Sequence, residues 1–265
     1  MKPNERSWHE APLRAVRTAV LIPALNEEDA LPGVLRRVPA NTLRIVADNG
    51  STDATPAVAE SLGAVVVHEP ERGYGAACLA GIRYLAGQAV PPTVLVFLDA
   101  DGSENPEDIP KLVEPIVAGS ADLVLGVRRG AGGDVGTILP HARFGNRLVL
   151  ALVRILFRQR YQDLPPFRAI RFDSLQDLGM DDRNWGWTLQ MQIRAGLRGL
   201  RVTEVSVEHR RRSEGVSKIS GSLPASFRVG LKMFYTLARE RWRAARTRRG
   251  TAAQRPVVAG SDAHE

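Results

Sequence analysis

Short apolar runs alternate along the chain with longer stretches in which apolar residues return every three or four positions. The runs Thr18–Ile22, Leu43–Ala47, Ala64–His68, Val94–Leu98, Asp122–Gly126 and Val202–Val207 predict strands. Between them, helical spacing predicts a helix opening at Ala24–Glu28 and carrying Leu31, Val34 and Leu35, then helices over Ala54–Leu62, Ala76–Leu85 and from Pro106 to Val117. Arg143–Phe157 and Trp187–Ala195 follow, and Leu223, Phe227, Leu231, Phe234 and Ala238 recur as one face of a long amphipathic helix. The five apolar residues Val94–Leu98 suit a strand covered on both faces. The succession of strand and helix predicts an α/β fold with a mostly parallel central sheet, joined by right-handed crossovers.

Such a sheet delivers its functional residues at the carboxyl ends of its strands. Three ends are polar: Asn26-Glu27-Glu28 after the first, Asp48-Asn49-Gly50-Ser51-Thr52-Asp53 after the second, and Asp99-Ala100-Asp101-Gly102 after Val94–Leu98. If strand geometry continues through Ala100, Asp99 and Asp101 point the same way and can share a divalent cation that also holds a diphosphate; acidic residues also form turns after strands. Asn26 reads as the cap of the first helix, with Asp29 three residues on. Trp185-Gly186-Trp187 offers either a core wedge or a stacking wall for a sugar or base. No Gly-x-Gly-x-x-Gly follows the first strand and no phosphate-binding Gly-x-x-x-x-Gly-Lys-Ser/Thr loop exists, which sets aside dinucleotide oxidoreductases and NTPases.

Charge adds a local feature. The 265 residues carry a formal +7, yet Arg228–Arg249 alone holds eight Lys or Arg against one Glu, so the remainder is near neutral. A nucleic-acid partner is disfavoured and a local anionic contact favoured, an anionic membrane surface among them. The longest apolar candidate, Leu148–Phe157, is interrupted by Arg154 and is about half the ~20 residues a span needs. Cys78 is the only cysteine, which excludes an internal disulfide; together with a polar start lacking a secretion-signal core, it leads us to expect cytoplasmic residence, peripheral on a membrane face if the basic helix is used there. The expected organisation is a flexible segment 1–17, a catalytic domain 18–220, a basic amphipathic extension 221–249 and a disordered tail 250–265. The apolar face of the extension can cover the core, meet a twin helix in a homo-oligomer, or touch lipid.

In this order, Leu21-Ile22-Pro23-Ala24-Leu25-Asn26-Glu27-Glu28, Asp48–Asp53, Asp99–Gly102, Asp163 with Phe167-Arg168-Ala169, and Arg212, Gly215, Ser217 and Lys218 resemble the family 2 glycosyltransferases, and within them the dolichol-phosphate (polyprenyl-phosphate) mannose or glucose synthase branch. The resemblance implies a GT-A fold and an inverting hexose transfer from a nucleotide-sugar, UDP-linked in preference to GDP-linked, to a lipid phosphate or another hydroxyl acceptor. It implies that Pro23, Ala24, Asn26 and Glu28 line the donor pocket, that Asp48 hydrogen-bonds the base, and that Asp53 holds its turn or reaches the nucleoside. Asp99 and Asp101, flanking Ala100, would hold Mg²⁺ or Mn²⁺ with the donor diphosphate. Arg128 and Arg143 would contact phosphate, and Asp163, Arg168, Arg212 and Lys218 would serve the transfer, Asp163 by orienting a hydroxyl or an arginine. Two departures stand out: Leu164-Pro165-Pro166 replaces a small-residue stretch, and Gln190 stands where relatives commonly carry a Glu, so no proton abstraction is assigned there.

Overall fold

The computed structural model describes residues 17–129, 140–210 and 223–253. Seven strands form one sheet: β1 (Thr18–Ala24), β2 (Leu43–Asp48), β3 (Val65–His68), β4 (Val94–Phe97), β5 (Leu123–Arg129), β6 (Arg168–Arg171) and β7 (Val202–Glu208). Their order is β3-β2-β1-β4-β6-β5-β7. The first four strands run parallel, and β6 runs antiparallel to β4 and β5. The short β6 is absent from the sequence pattern because Arg-Ala-Ile-Arg has charge at both ends and only two apolar residues between. Tertiary pairing makes it a strand.

Alternation along the strands sorts side chains onto two faces. Val20, Ile22, Val46 and Val96 meet Leu31, Val34 and Leu35 of α1 (Leu31–Arg37) and Leu112 and Ile116 of α4 (Ile109–Val117). On the other face Leu21, Ile45, Leu95 and Phe97 meet Ala77, Cys78 and Leu85 of α3 (Tyr74–Ala86), Leu175 of α6 (Phe172–Leu178), and Trp187 and Met191 of α7 (Trp187–Leu197). Between β2 and β3 lies α2 (Thr55–Ser61). Cys78 is a buried apolar filler, its thiol pushed up by burial and then by the nearby Asp99.

A third cluster joins Val149, Val153 and Phe157 of α5 (Pro140–Phe157), Leu189 and Ile193 of α7, and Leu237 of α8 (Leu223–Ala253). The basic helix is thus docked on the α/β fold. Lys232, Arg239 and Arg243 pair with Asp181, Asp182 or Glu240, which draws part of its charge inward. Leu231, Phe234, Tyr235 and Trp242 stay exposed. Among the described residues no helix is long and apolar enough to cross a membrane.

Two local expectations change. The first helix begins at Leu31, because Glu28–Ala30 form a turn and Pro32 suits the first helical turn, so Asn26 does not cap it. Strand geometry ends at Phe97, so a turn, and not strand alternation, sets the directions of Asp99 and Asp101.

Trp187 is 1% exposed and packs on Phe97 with ring centroids 6.1 Å apart at 60°. Trp187→Ala should cost about 3–5 kcal/mol of stability, read as a lower urea midpoint, the scale of aromatic core truncation. A change under about 1 kcal/mol would show that this wedge is not a core element.

Candidate active site

The carboxyl ends of β1, β2 and β4 lie side by side, and the loops leaving the first two are laced together. Asn26, at φ 50°, adopts the left-handed conformation that its short amide tolerates. Its Oδ1 accepts from the Thr52 N–H at 2.8 Å, and its own N–H donates to Ser51 Oγ at 2.9 Å. Glu28 Oε2 accepts from the Ala54 N–H at 2.7 Å, while the Glu28 N–H donates to Asp53 Oδ2 at 3.2 Å. Asp53 Oδ1 takes the Thr55 N–H and hydroxyl at 3.0 and 2.6 Å. Burial works against the Asp53 carboxylate, but these Thr55 and Glu28 donors hold it below the usual range. Of the two roles expected for Asp53, holding the turn is the one this geometry displays. Asp48, 3% exposed, accepts from the Ser51 N–H at 3.1 Å and lies 3.3 Å from His68 Nδ1.

In front of this lacing lies a cleft of about 410 Å³, lined by Pro23, Ala24, Leu25, Glu27, Asn49, Arg72, Gly73, Tyr74, Ala77, Asp99, Ala100, Asp101, Asn184 and Trp185. Its size suits a small-molecule site. Five of the expected donor residues, Pro23, Ala24, Asp99, Ala100 and Asp101, border it. Asn26, Glu28, Asp48 and Asp53 brace the loops instead. The two tryptophans divide the readings offered for them, with Trp187 in the core and Trp185 on the cleft wall.

That wall rests on two glycines. A Cβ on Gly73 would sit 2.1 Å from the Arg183 carbonyl oxygen, and one on Gly75 would sit 1.9 Å from that of Asp182. The Ala76 N–H donates to the same Arg183 oxygen at 2.9 Å. Asn49 ties the opposite side, accepting from the Gly73 N–H at 2.7 Å and donating to the Glu69 and Glu71 carbonyls at 3.1 and 2.7 Å. Arg72 was not among the residues expected at the site; a cation beside the closely spaced Gly73 and Gly75 was the available signal.

At the acidic end, the Ser103 N–H donates to Asp101 Oδ1 at 2.9 Å and the Asp99 N–H to Glu104 Oε2 at 3.3 Å. Glu104, unmarked in the sequence reading, is 2% exposed, and burial, then Asp99 and Asp101, pushes its carboxyl well above the usual range. His209 forms an isolated bridge with Glu104, and burial followed by Arg128 keeps its imidazole below the ordinary value despite Asp101 and Asp163. Glu104 Oε1 and His209 Nδ1 are buried without a hydrogen-bond partner among the described residues. Among those residues no three His, Cys, Asp or Glu side chains converge as a ready metal cage. Hard carboxylate oxygens with room for further ligands fit Mg²⁺ or Mn²⁺, which one or two carboxylates hold together with substrate phosphates.

Arg128 and Asp163 meet as a two-pronged pair at 2.7 and 2.6 Å, and Asn146 Nδ2 adds a third bond to the carboxylate at 2.9 Å. Asp163 therefore orients an arginine. Arg168 is fully buried, donating to the Pro165 carbonyl, to the Thr188 carbonyl at 3.0 Å and to Gln192 Oε1 at 3.4 Å. Burial lowers its pKa to about 10. It holds the Leu164-Pro165-Pro166 bend from inside and does not reach the cleft. Gln190 is equally buried, accepting from the Asp181 and Asp182 N–H groups and donating to Asp181 and Glu240 carboxylates. Arg143 lies in α5 with only its backbone described, and Arg212 and Lys218 fall outside the described residues.

Burial tends to raise the Asp163 pKa, but Arg128 and the other donors leave it below the ordinary 3.8. A depressed folded value means that the stabilisation is complete above the unfolded pKa and is lost as pH falls through the folded one. Urea titrations from pH 7 down to 2 should show the wild-type chain losing stability below about pH 4 more steeply than Asp163→Asn. Parallel acid limbs would refute the pairing.

With this geometry in view, residues 19–179 match the model of Glycosyl transferase family 2. An uncharacterized glycosyltransferase of Mycobacterium tuberculosis is 44% identical over 207 residues, 78% of this chain and 91% of that protein. An undecaprenyl-phosphate mannosyltransferase of Micrococcus luteus is 31% identical over 249 residues, 89% of this chain and all of that protein. Among solved structures, glucosyl-3-phosphoglycerate synthase of Mycobacterium tuberculosis in complex with phosphoglyceric acid superposes with a TM-score of 0.64 at 25% identity, covering 85% of this chain and 80% of that one. The expected placement in the dolichol-phosphate branch is corrected by these likenesses: the 44% relative carries no such assignment, and the solved structure at 25% identity is of a glucosyl-3-phosphoglycerate synthase holding phosphoglyceric acid. The motifs behind that placement lie chiefly on the donor side, which differing acceptors can share. GT-A architecture is upheld by the sheet and its helical cover. The chain belongs to the family 2 glycosyltransferases.

Proposed function

We propose that the chain transfers a hexose from a UDP-sugar, with inversion, to a hydroxyl of a small polar acceptor that carries an anionic group. The observation that carries this reading is the carboxylate pair Asp99/Asp101 on a cleft that also presents Arg72, Asn49 and Trp185. One solved synthase structure similar to this chain holds UDP and Mn²⁺ with glucosyl-3-phosphoglycerate, which supports the donor, the ion and an acceptor of this class.

Each chain residue then has a physical task. Asp99 and Asp101 would hold the Mg²⁺ or Mn²⁺, which when bound offsets charge on the departing nucleoside diphosphate. Arg72 supplies a cation for the phosphates from the opposite side of the cleft. Trp185 gives an apolar wall that excludes water from the sugar or base. Asp48 lies behind the base end, where a carboxylate can accept from a ring N–H once Ser51 or His68 yields. The ion pair with Arg128 keeps Asp163 ionised and oriented, so it serves as a support for the acceptor side and not as a mobile base. Arg143, Arg212 and Lys218 are proposed as acceptor-side cations.

Two measurements test the reading. Calorimetry with Mn²⁺ should show UDP binding more tightly than GDP; the reverse order would overturn the donor. In a transfer assay, Asp101→Asn should lower turnover about 10²–10³-fold while leaving the fold intact, the scale seen when one electrostatic stabiliser is removed. Unchanged turnover would remove Asp101 from the metal site, and transfer to a polyprenyl phosphate with none to small phosphorylated hydroxy acids would overturn the acceptor class.

A further inference from the structure

The cleft wall formed by Asn184 and Trp185 is held on its far side by α8. Asp182, whose side chain is wholly buried, stands immediately before the wall and uses its two oxygens in opposite directions. Oδ1 accepts from the Asn184 N–H at 2.9 Å, closing a tight turn under the wall. Oδ2 faces Lys232 Nζ at 2.9 Å and the Arg239 guanidinium at 3.5 Å, both presented by α8. The approach is close: a Cβ on Gly186 would lie 2.3 Å from Thr236 Oγ1 and 2.5 Å from Asp182 Oδ2. The neighbouring Gln190 donates to Glu240 of α8 at 2.8 Å and accepts from the Asp182 N–H at 3.0 Å, so the same turn is tied to α8 a second time.

A buried carboxylate without a cation is costly, and loss of one partner leaves the other charge uncompensated. Without α8, Asp182 would turn toward water and carry the wall with it. We propose that Lys232 and Arg239 are positioning residues for nucleotide-sugar binding: through Asp182 they fix the Asn184–Trp185 wall against the start of α3 and so preorganise the donor cleft. The inference rests on the donor site proposed above and extends it to a helix of which no described residue borders the cleft. Preorganisation of this kind lowers the ordering cost at binding, so its loss shows in donor affinity more than in the chemical step.

Lys232→Met keeps the aliphatic stem and removes the charge. It should raise KM for the UDP-sugar about tenfold and weaken Mn²⁺-dependent UDP binding similarly, with kcat at saturating donor within about threefold of wild type. Lys232→Arg should restore KM to within about threefold, because a second cation can reach the same carboxylate. Arg239→Met, acting on the same oxygen from two turns further along α8, should move KM in the same direction and keeps the test available if Lys232→Met does not fold. Arg201→Met breaks the exposed pair with Asp122 far from the wall and should leave KM unchanged. Wild-type affinity in both Lys232→Met and Arg239→Met would overturn the positioning role. So would a loss of kcat alone, or a KM shift of equal size in Arg201→Met. A wild-type chain that binds no nucleotide with Mn²⁺ would instead defeat the donor-site reading, which separates the two failures.

Discussion

The absence of side chains at Gly73 and Gly75 is the constraint on which the cleft depends. Two carbonyl oxygens of the Asp182–Asn184 turn occupy the space where Cβ atoms would stand, 1.9 and 2.1 Å away. That contact lets a segment from the second half of the chain lie across the start of α3 and wall off the ends of β1, β2 and β4. The ion pairs of Arg183 with Glu69 and Glu71 and the Asn49 bonds to the same loop hold the contact from the other side. A helix start, an insertion turn and the carboxyl ends of three strands thereby become one surface.

Electrostatics completes what packing begins. Burial first, and then the nearby carboxyls of Asp99 and Asp101, raise the Glu104 pKa, with Arg128 opposing the shift. A divalent ion suits such a place because its charge would ease the repulsion among these carboxyl groups. The Arg128–Asp163 pair stands beside this acidic end: the guanidinium, held by two bonds to the Asp163 carboxylate, also acts on Glu104 and Asp99.

The sequence made the parallel half of the sheet legible, because the apolar runs of β1 and β4 are unbroken, that of β2 is interrupted only by Arg44, and each ends in a polar cluster. It also identified five residues that border the cleft. Several features escaped local pattern. The strand β6 depends on pairing with its neighbours, and Arg168 looks like a functional cation until its donors are seen turned onto carbonyls inside the protein. Asn26, Glu28 and Asp53 carry the polarity of ligand contacts while lacing two loops together. Glu104 and Asn184 have no motif of their own, since only the folded chain places them beside the cleft. The basic helix read as an appendage because charge counting along the sequence does not reveal which cations meet Asp181, Asp182 and Glu240. Motifs shared across the donor side favoured one acceptor branch, whereas the acceptor side rests on residues whose spacing is less informative.

The most direct measurement is a crystal structure of the chain soaked with UDP and Mn²⁺, with anomalous scattering recorded to locate the ion. Binding through the carboxylate pair requires a manganese peak bounded by Asp99, Asp101 and the diphosphate, with Trp185 and Asn184 bordering the nucleotide. A nucleotide seated elsewhere, or a manganese peak away from both carboxylates, would contradict the central claim that this cleft is the donor site.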